Sequence, residues 1–220
     1  MSNVENSQTR PGAGGNRAPV RWAILALILA CTLVELTLVA ADFGLIGDRR
    51  WRSIAYQNGA FWVGLLGNWR PNYPQQPVLM FFTYSFLHAS FWHLAGNMLT
   101  LYILGEFARD RLRVPGFLLL YFLSAIGGAV AFALLTESSA PMVGASGAIF
   151  GLFGAWQFWE WQELRRSGQS TGPVRRMVLG LVIVNALMWF VMDGILAWET
   201  HLGGFIAGWL VAMALSRQRT

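Results

Sequence analysis

The strongest constraint on this chain is a series of apolar runs too long for strands. They cover Trp22–Phe43, Phe91–Phe107, Gly116–Leu135, Gly147–Trp161, Met177–Met192 and Ile195–Leu215, each bounded by Arg, Pro or Gly. A bilayer core of about 30 Å is crossed by about 20 apolar residues in a helix. Within it every backbone polar group must find a partner in the protein. These runs therefore predict an all-α polytopic membrane protein, a bundle of six transmembrane helices. Composition agrees: of 220 residues 55% are hydrophobic and only 12% charged, against about 25% charged in soluble domains. No alternation of period two appears, which disfavours a barrel. The first run exceeds a signal-peptide core and lacks a small-x-small cleavage pattern, so it reads as a membrane helix. Residues 1–19, polar and rich in Gly and Pro, read as a disordered cytoplasmic tail, leaving a membrane domain at 20–220.

The charge balance is basic, with a pI of about 10.1, and a nucleic-acid partner would be one explanation. All sixteen basic residues are Arg and cluster beside the apolar runs, which is how membrane orientation is written. Arg10, Arg17, Arg21, Arg109, Arg111, Arg113, Arg165, Arg166, Arg175, Arg176, Arg217 and Arg219 fall on one side, leaving Arg49, Arg50, Arg52 and Arg70 on the other. The expectation is no nucleic-acid binding and both termini in the cytoplasm. Cys31 is the sole cysteine, so no internal disulfide or cysteine metal cluster is expected. The long connection Gly44–Pro77 is then external. Its "GAFWVGLLGNW" is too short to span, and an interfacial element or an ordinary folded loop both fit.

The fourth run is short. Ser146 to Trp161 is fifteen steps, or about 22 Å of helix. With Trp156, Trp159 and Trp161 at the cytoplasmic interface, its other end starts below the outer surface. Irregular backbone at that depth needs protein or water beside it. A sunken cavity facing outward is predicted around Ser146.

Polar groups inside spans are functional candidates by default. Ser146 lies between Gly144 and Gly147 in "PMVGASGAIFGLFGA". His93 precedes Asn97 by four in "FWHLAGNMLTLYILG", so both share a helix face. His201 opens "HLGGFIAGWL". Gly147, Gly151 and Gly154 form one small-residue face, and Gly204 and Gly208 form another that includes His201. Such faces let backbones approach closely. A tight crossing there brings an imidazole towards a hydroxyl, as a general base must be to activate a weak nucleophile. The Ser146 N–H at a helix start, the Asn97 amide and a His93 ring N–H are possible oxyanion donors. No acid stands behind His201, because Glu199 points to the opposite face and Asp193 is more than two turns away. A dyad is expected. Each group alone has a packing explanation; their shared depth favours a site.

Together these residues resemble the rhomboid family of intramembrane serine proteases over nearly the whole chain from Trp22. "FLHASFWHLAGNMLTLYILGE" is similar to the family's second-helix motif, "GASGAIFGLFGA" to its Gly-x-Ser-Gly motif, and "HLGGFIAGWL" to its terminal His-x-x-Gly-x-x-x-Gly motif. The resemblance implies Ser146 as nucleophile and His201 as base. It implies an oxyanion site of His93, Asn97 and the Ser146 N–H, and no metal or cofactor. It implies transmembrane protein substrates cut within or near a helix, in the lipid bilayer of a prokaryotic cell (inner) membrane. His88 matches a further recurrent family histidine. Three departures stand out. Trp69-Arg70 lies well upstream of the family's usual Trp-Arg position. Phe150 replaces a Tyr found in some members and can stack on His201 without a hydrogen bond. Thr200 stands where Ala is common.

Two alternatives remain at this stage. One is a catalytically silent member that binds membrane clients. The other is a small transporter whose polar path would use His93, Asn97 and His201, with Glu35 deep in the first span as its best support. Oligomeric state is not encoded in any motif.

Overall fold

The computed structural model describes residues 17–217. Its elements in order are α1 (Arg17–Asp42), α2 (Trp51–Gly59), a short 3-10 turn (Val63–Leu66), α3 (Gln76–Thr83), a second 3-10 turn (Tyr84–Phe86), α4 (Phe91–Arg109), α5 (Val114–Leu135), α6 (Ser146–Arg166), α7 (Gly172–Val191) and α8 (Trp198–Arg217). The tail expected at 1–19 lies outside the described residues except for 17–19, which are helical and open α1. The last span begins at Trp198 rather than Ile195, because Asp193 and Gly194 adopt positive φ (50° and 80°) and end the preceding helix. α6 runs on to Arg166, five residues past the apolar run, since Gln162, Glu163 and Arg165 continue a helix as readily as leucine does. Pro77, Pro115 and Pro173 stand in the first turns of α3, α5 and α7, where a missing N–H costs nothing.

α1, α5 and α7 are long and apolar enough to cross a membrane by length and composition. The other long helices, α4, α6 and α8, have 19, 21 and 20 residues and carry His93, Asn97, Ser146, His201 and most of the glycine motifs. α1 buries one stripe, Val20, Ile24, Leu27, Cys31, Glu35 and Leu38, while Trp22, Leu29 and Leu33 stay more than half exposed. A helix apolar on both its buried and its outward face belongs in lipid.

The centre of the bundle is α5, α6 and α8, packed through glycine. A methyl on Gly204 would overlap the Gly147 carbonyl, one on Gly208 the Gly151 carbonyl, and one on Gly154 the Phe205 carbonyl. From α5, a Cβ on Gly127 would come within 3.2 Å of the Gly203 carbonyl, and one on Gly128 within 3.2 Å of the Gly147 Cα. Lipid offers no hydrophobic drive between helices, so close van der Waals contact must hold them. At one end of the bundle, Arg111 lies over the Trp159 ring and Arg165 over Trp161, at 5.6 and 5.7 Å. Such pairing of Trp and Arg suits an interface between lipid and water.

The connection from α1 to α4 is folded and docked. Arg52 of α2 forms a bidentate ion pair with Glu35, at 3.0 and 3.1 Å, and a further bond to Asp42 at 2.7 Å. The same guanidinium donates to the His88 carbonyl at 3.2 Å, which also accepts from the Tyr56 hydroxyl at 2.7 Å. Glu35, fully buried, thus serves as an anchor for this loop, which removes the main support for a transport path. The "GAFWVGLLGNW" stretch buries Ala60 and Phe61, and the Phe61 ring meets Phe81, Tyr84 and Phe132 edge-on.

Two stability experiments follow, read by thermal unfolding in detergent micelles. Gly208→Ala should destabilise by about 1–3 kcal/mol through overpacking. Gly180→Ala on α7, with nothing within 4 Å of the added methyl, should be neutral or stabilising by up to about 1 kcal/mol. Equal shifts of the same sign would refute the glycine crossing. Arg52→Met should cost about 3 kcal/mol by stranding the Glu35 carboxylate. Adding Glu35→Gln to Arg52→Met should recover part of that loss; simple additivity would show the pair to be uncoupled.

Candidate active site

Three stretches of backbone converge on the start of α6. Residues 136–145 form no helix, and their polar groups are met by the loop elements. Phe61 and Met142 exchange N–H···O bonds at 3.0 and 2.9 Å, an isolated antiparallel bridge. The Gly144 N–H donates to the Tyr84 carbonyl at 3.0 Å, and the Tyr84 hydroxyl donates to the Ala125 carbonyl at 2.8 Å. Irregular backbone is thereby satisfied inside protein, as a membrane interior demands. Thr200 adds a tie from α8, its hydroxyl donating to the Met142 sulfur. Its methyl also fills the space beside Gly128 and Gly147, which gives this threonine a packing role as well.

Gly144 has φ +126°, a conformation side-chain-bearing residues rarely adopt. A Cβ there would stand 2.8 Å from Cε1 and 3.0 Å from Nε2 of His93. The turn before the serine is thus pressed against the His93 ring, and only glycine permits it. Ser146 is the first residue of α6 and half-buried, so its N–H has no partner within the helix.

His93 sits in the first turn of α4, whose N-cap Ser90 accepts from the His93 N–H at 3.2 Å. The Ala89 N–H donates to His93 Nδ1 at 3.3 Å. An Nδ1 that accepts leaves the ring hydrogen on Nε2, the nitrogen beside Gly144. Asn97 is buried, and the hydrogen bond it makes runs along its own helix, from Nδ2 to the His93 carbonyl at 2.9 Å. His88 is fully buried, meeting the His93 ring edge-on at 5.3 Å.

His201 lies in the first turn of α8. Phe150, one turn after Ser146 on α6, stacks on its ring with centroids 4.0 Å apart and planes within 5°. Gly204, three residues after His201, lies against the carbonyl of Gly147, the neighbour of Ser146. Gly208 repeats that contact one turn on, against Gly151. His201 Nδ1 is 2.5 Å from Oδ1 of Asn185 on α7. The structure therefore brings His93 to the serine loop and His201 to the serine's face of α6.

Asn185 is not among the residues that the sequence motifs single out. The signal was present, for Asn185 is the one strongly polar residue between Met177 and Val191. The Arg52–Glu35 anchor also went unseen, because the pairing depends on how the loop folds.

The sequence itself places the chain in a family. Residues 75–218 match the Rhomboid domain. Rhomboid protein 1, mitochondrial, of Saccharomyces cerevisiae is 29% identical over 159 residues, 61% of this chain and 42% of that protein. Rhomboid-like protease 1 of Toxoplasma gondii is 30% identical over 71% of this chain and 55% of its own length. Rhomboid protease GluP of Bacillus subtilis is 34% identical over 59% of this chain and 24% of its own length. The chain thus spans from about a quarter to about half of the length of these relatives. With a membrane bundle of helices and a domain match covering most of its length, the chain belongs to the rhomboid family.

Proposed function

We propose that this protein is an intramembrane serine endopeptidase that uses Ser146 as nucleophile and His201 as general base. The observation that carries the reading is the backbone contact of Gly147 with Gly204, which sets the residue beside the serine against the turn after the histidine. Phe150 supports it by clamping the imidazole plane from the serine's own helix face.

The reaction is acyl transfer. A substrate segment reaches the site from the bilayer, frays, and offers a backbone carbonyl to the serine hydroxyl. As the oxygen–carbon bond forms, His201 Nε2 takes the hydroxyl proton. The charge on the carbonyl oxygen is met by the Ser146 N–H at the start of α6, the His93 Nε2–H and the second hydrogen of the Asn97 amide. The carbon–nitrogen bond then breaks, and the imidazolium returns its proton to the departing amine. Water, deprotonated by the same nitrogen, hydrolyses the serine ester and restores the hydroxyl. The arginine distribution supports both termini in the cytoplasm and this site towards the outer half of the membrane.

Purified wild-type protein in liposomes should cleave members of a panel of single-span substrates and be labelled covalently by a fluorophosphonate. Ser146→Ala should abolish labelling, and Ser146→Ala and His201→Ala should each lower cleavage by at least about 10³-fold. Labelling that survives Ser146→Ala would overturn the assignment. A folded wild type that is never labelled and cuts none of the panel would instead favour a catalytically silent client-binding member.

A further inference from the structure

An imidazole can act as a base through only one nitrogen at a time, and the hydrogen bond at the other nitrogen selects which. Asn185 Oδ1 lies 2.5 Å from His201 Nδ1. The orientation of this amide is fixed by its second contact. Its Nδ2 donates to the Leu181 carbonyl, one turn earlier on α7, at 2.9 Å. With nitrogen committed to that carbonyl, the oxygen faces the imidazole, and an amide oxygen can only accept. Nδ1 of His201 therefore carries the hydrogen, and Nε2 keeps its lone pair. Phe150 holds the ring by its face from α6 while Asn185 holds it by its edge from α7. Both groups border an apolar cavity of about 710 Å³ between α7 and α8, with Leu181, Trp189 and Phe205 in its wall. A hydrogen bond in such surroundings is stronger than one in water.

We infer that Asn185 is a positioning residue for the catalytic pair, locking His201 as the Nδ1–H tautomer with Nε2 free to take the serine proton. This rests on the reading of Ser146 and His201 as nucleophile and base. Asn185 gains and loses no proton in the cycle. It accepts from Nδ1–H while the ring is neutral, and continues to accept when Nε2 is protonated and the ring is cationic. An amide does this without placing a charge inside the membrane, which a carboxylate in the same place would do. Val174 is the one buried residue of α7, so the amide is set on a helix otherwise packed lightly against the bundle.

The test combines ¹⁵N NMR of the histidines in the full-length protein with steady-state cleavage kinetics. The chain has three histidines, and the His201 signals are assigned by their loss in His201→Ala. Wild-type His201 should show a protonated Nδ1 and an unprotonated Nε2. Asn185→Leu and Asn185→Ala should each give a mixture of tautomers and lower kcat by about 10²-fold, with KM changed by less than about twofold. Asn185→Asp, which keeps an acceptor oxygen in place, should recover kcat to within about tenfold of wild type. A wild type with hydrogen on Nε2 overturns the inference without any variant. So does a folded Asn185→Leu whose tautomer and kcat match wild type, or whose loss lies only in KM. If the wild type cleaves nothing while the tautomer still depends on Asn185, the hold on the ring stands and the peptidase reading alone fails.

Discussion

Backbone touches backbone where α6 crosses α8, and the rest of the site depends on that contact. Gly147 meets Gly204 and Gly151 meets Gly208 with no side chain between them, while α5 closes the third side through Gly127 and Gly128. In water such helices would be driven together by burying apolar surface; in lipid that drive is absent and contact distance is what counts. Helices that meet through main-chain atoms cannot slide or roll without collision. The positions of Ser146 and His201 relative to one another are therefore set by two rigid rods, and side-chain rotamers only refine them.

This rigidity is paired with a division of labour along the chain. The helices that meet a plain apolarity criterion are α1, α5 and α7, whereas α4, α6 and α8 bear His93, Ser146 and His201. His93, Ser146 and His201 thus stand on every second long helix in chain order from α4, while Glu35 and Asn185 place single polar groups on the apolar α1 and α7. The turn leading to the serine needs further support because its backbone is irregular. The bridge from Phe61, the Tyr84 carbonyl and the Thr200 hydroxyl supply that support from three different elements. The loop that provides Phe61 is itself moored by Arg52 on Glu35 and on the His88 carbonyl, close to the start of α4. A buried carboxylate in α1 therefore acts on the site through a chain of ordinary contacts.

What the sequence disclosed follows from which signals are periodic or extended. Apolar runs marked the long helices, and glycines at intervals of three and four marked the faces on which two of them meet. Helix ends were less legible, because hydrophobicity reports where lipid or core begins, not where hydrogen bonding stops; Gln162 to Arg166 remain helical beyond the apolar run. Partnerships between remote single residues left no pattern at all. Arg52 and Glu35 are 17 positions apart and pair only because α2 folds back on α1. Asn185 differed, for an isolated amide in an apolar run is a signal by itself, and its proximity to His201 required the packing of α7. An amide oxygen accepts a hydrogen as a carboxylate does, without the desolvation of a charge.

A hydrolase working inside a bilayer faces two opposed demands: reacting groups fixed to fractions of an ångström, and an opening wide enough for a segment of another protein. The two sides of α8 divide these demands. Towards α5 and α6 its glycines leave no room for even a methyl group. Towards α7 it borders an apolar cavity of about 710 Å³, and α7 beyond it is mostly exposed. His201 stands at the boundary, three residues before the contact of Gly204 with α6 and bonded through Nδ1 to Asn185 of α7. The crossing thus holds the backbones around Ser146 and His201, whereas the orientation of the imidazole also depends on an amide from the lightly packed α7.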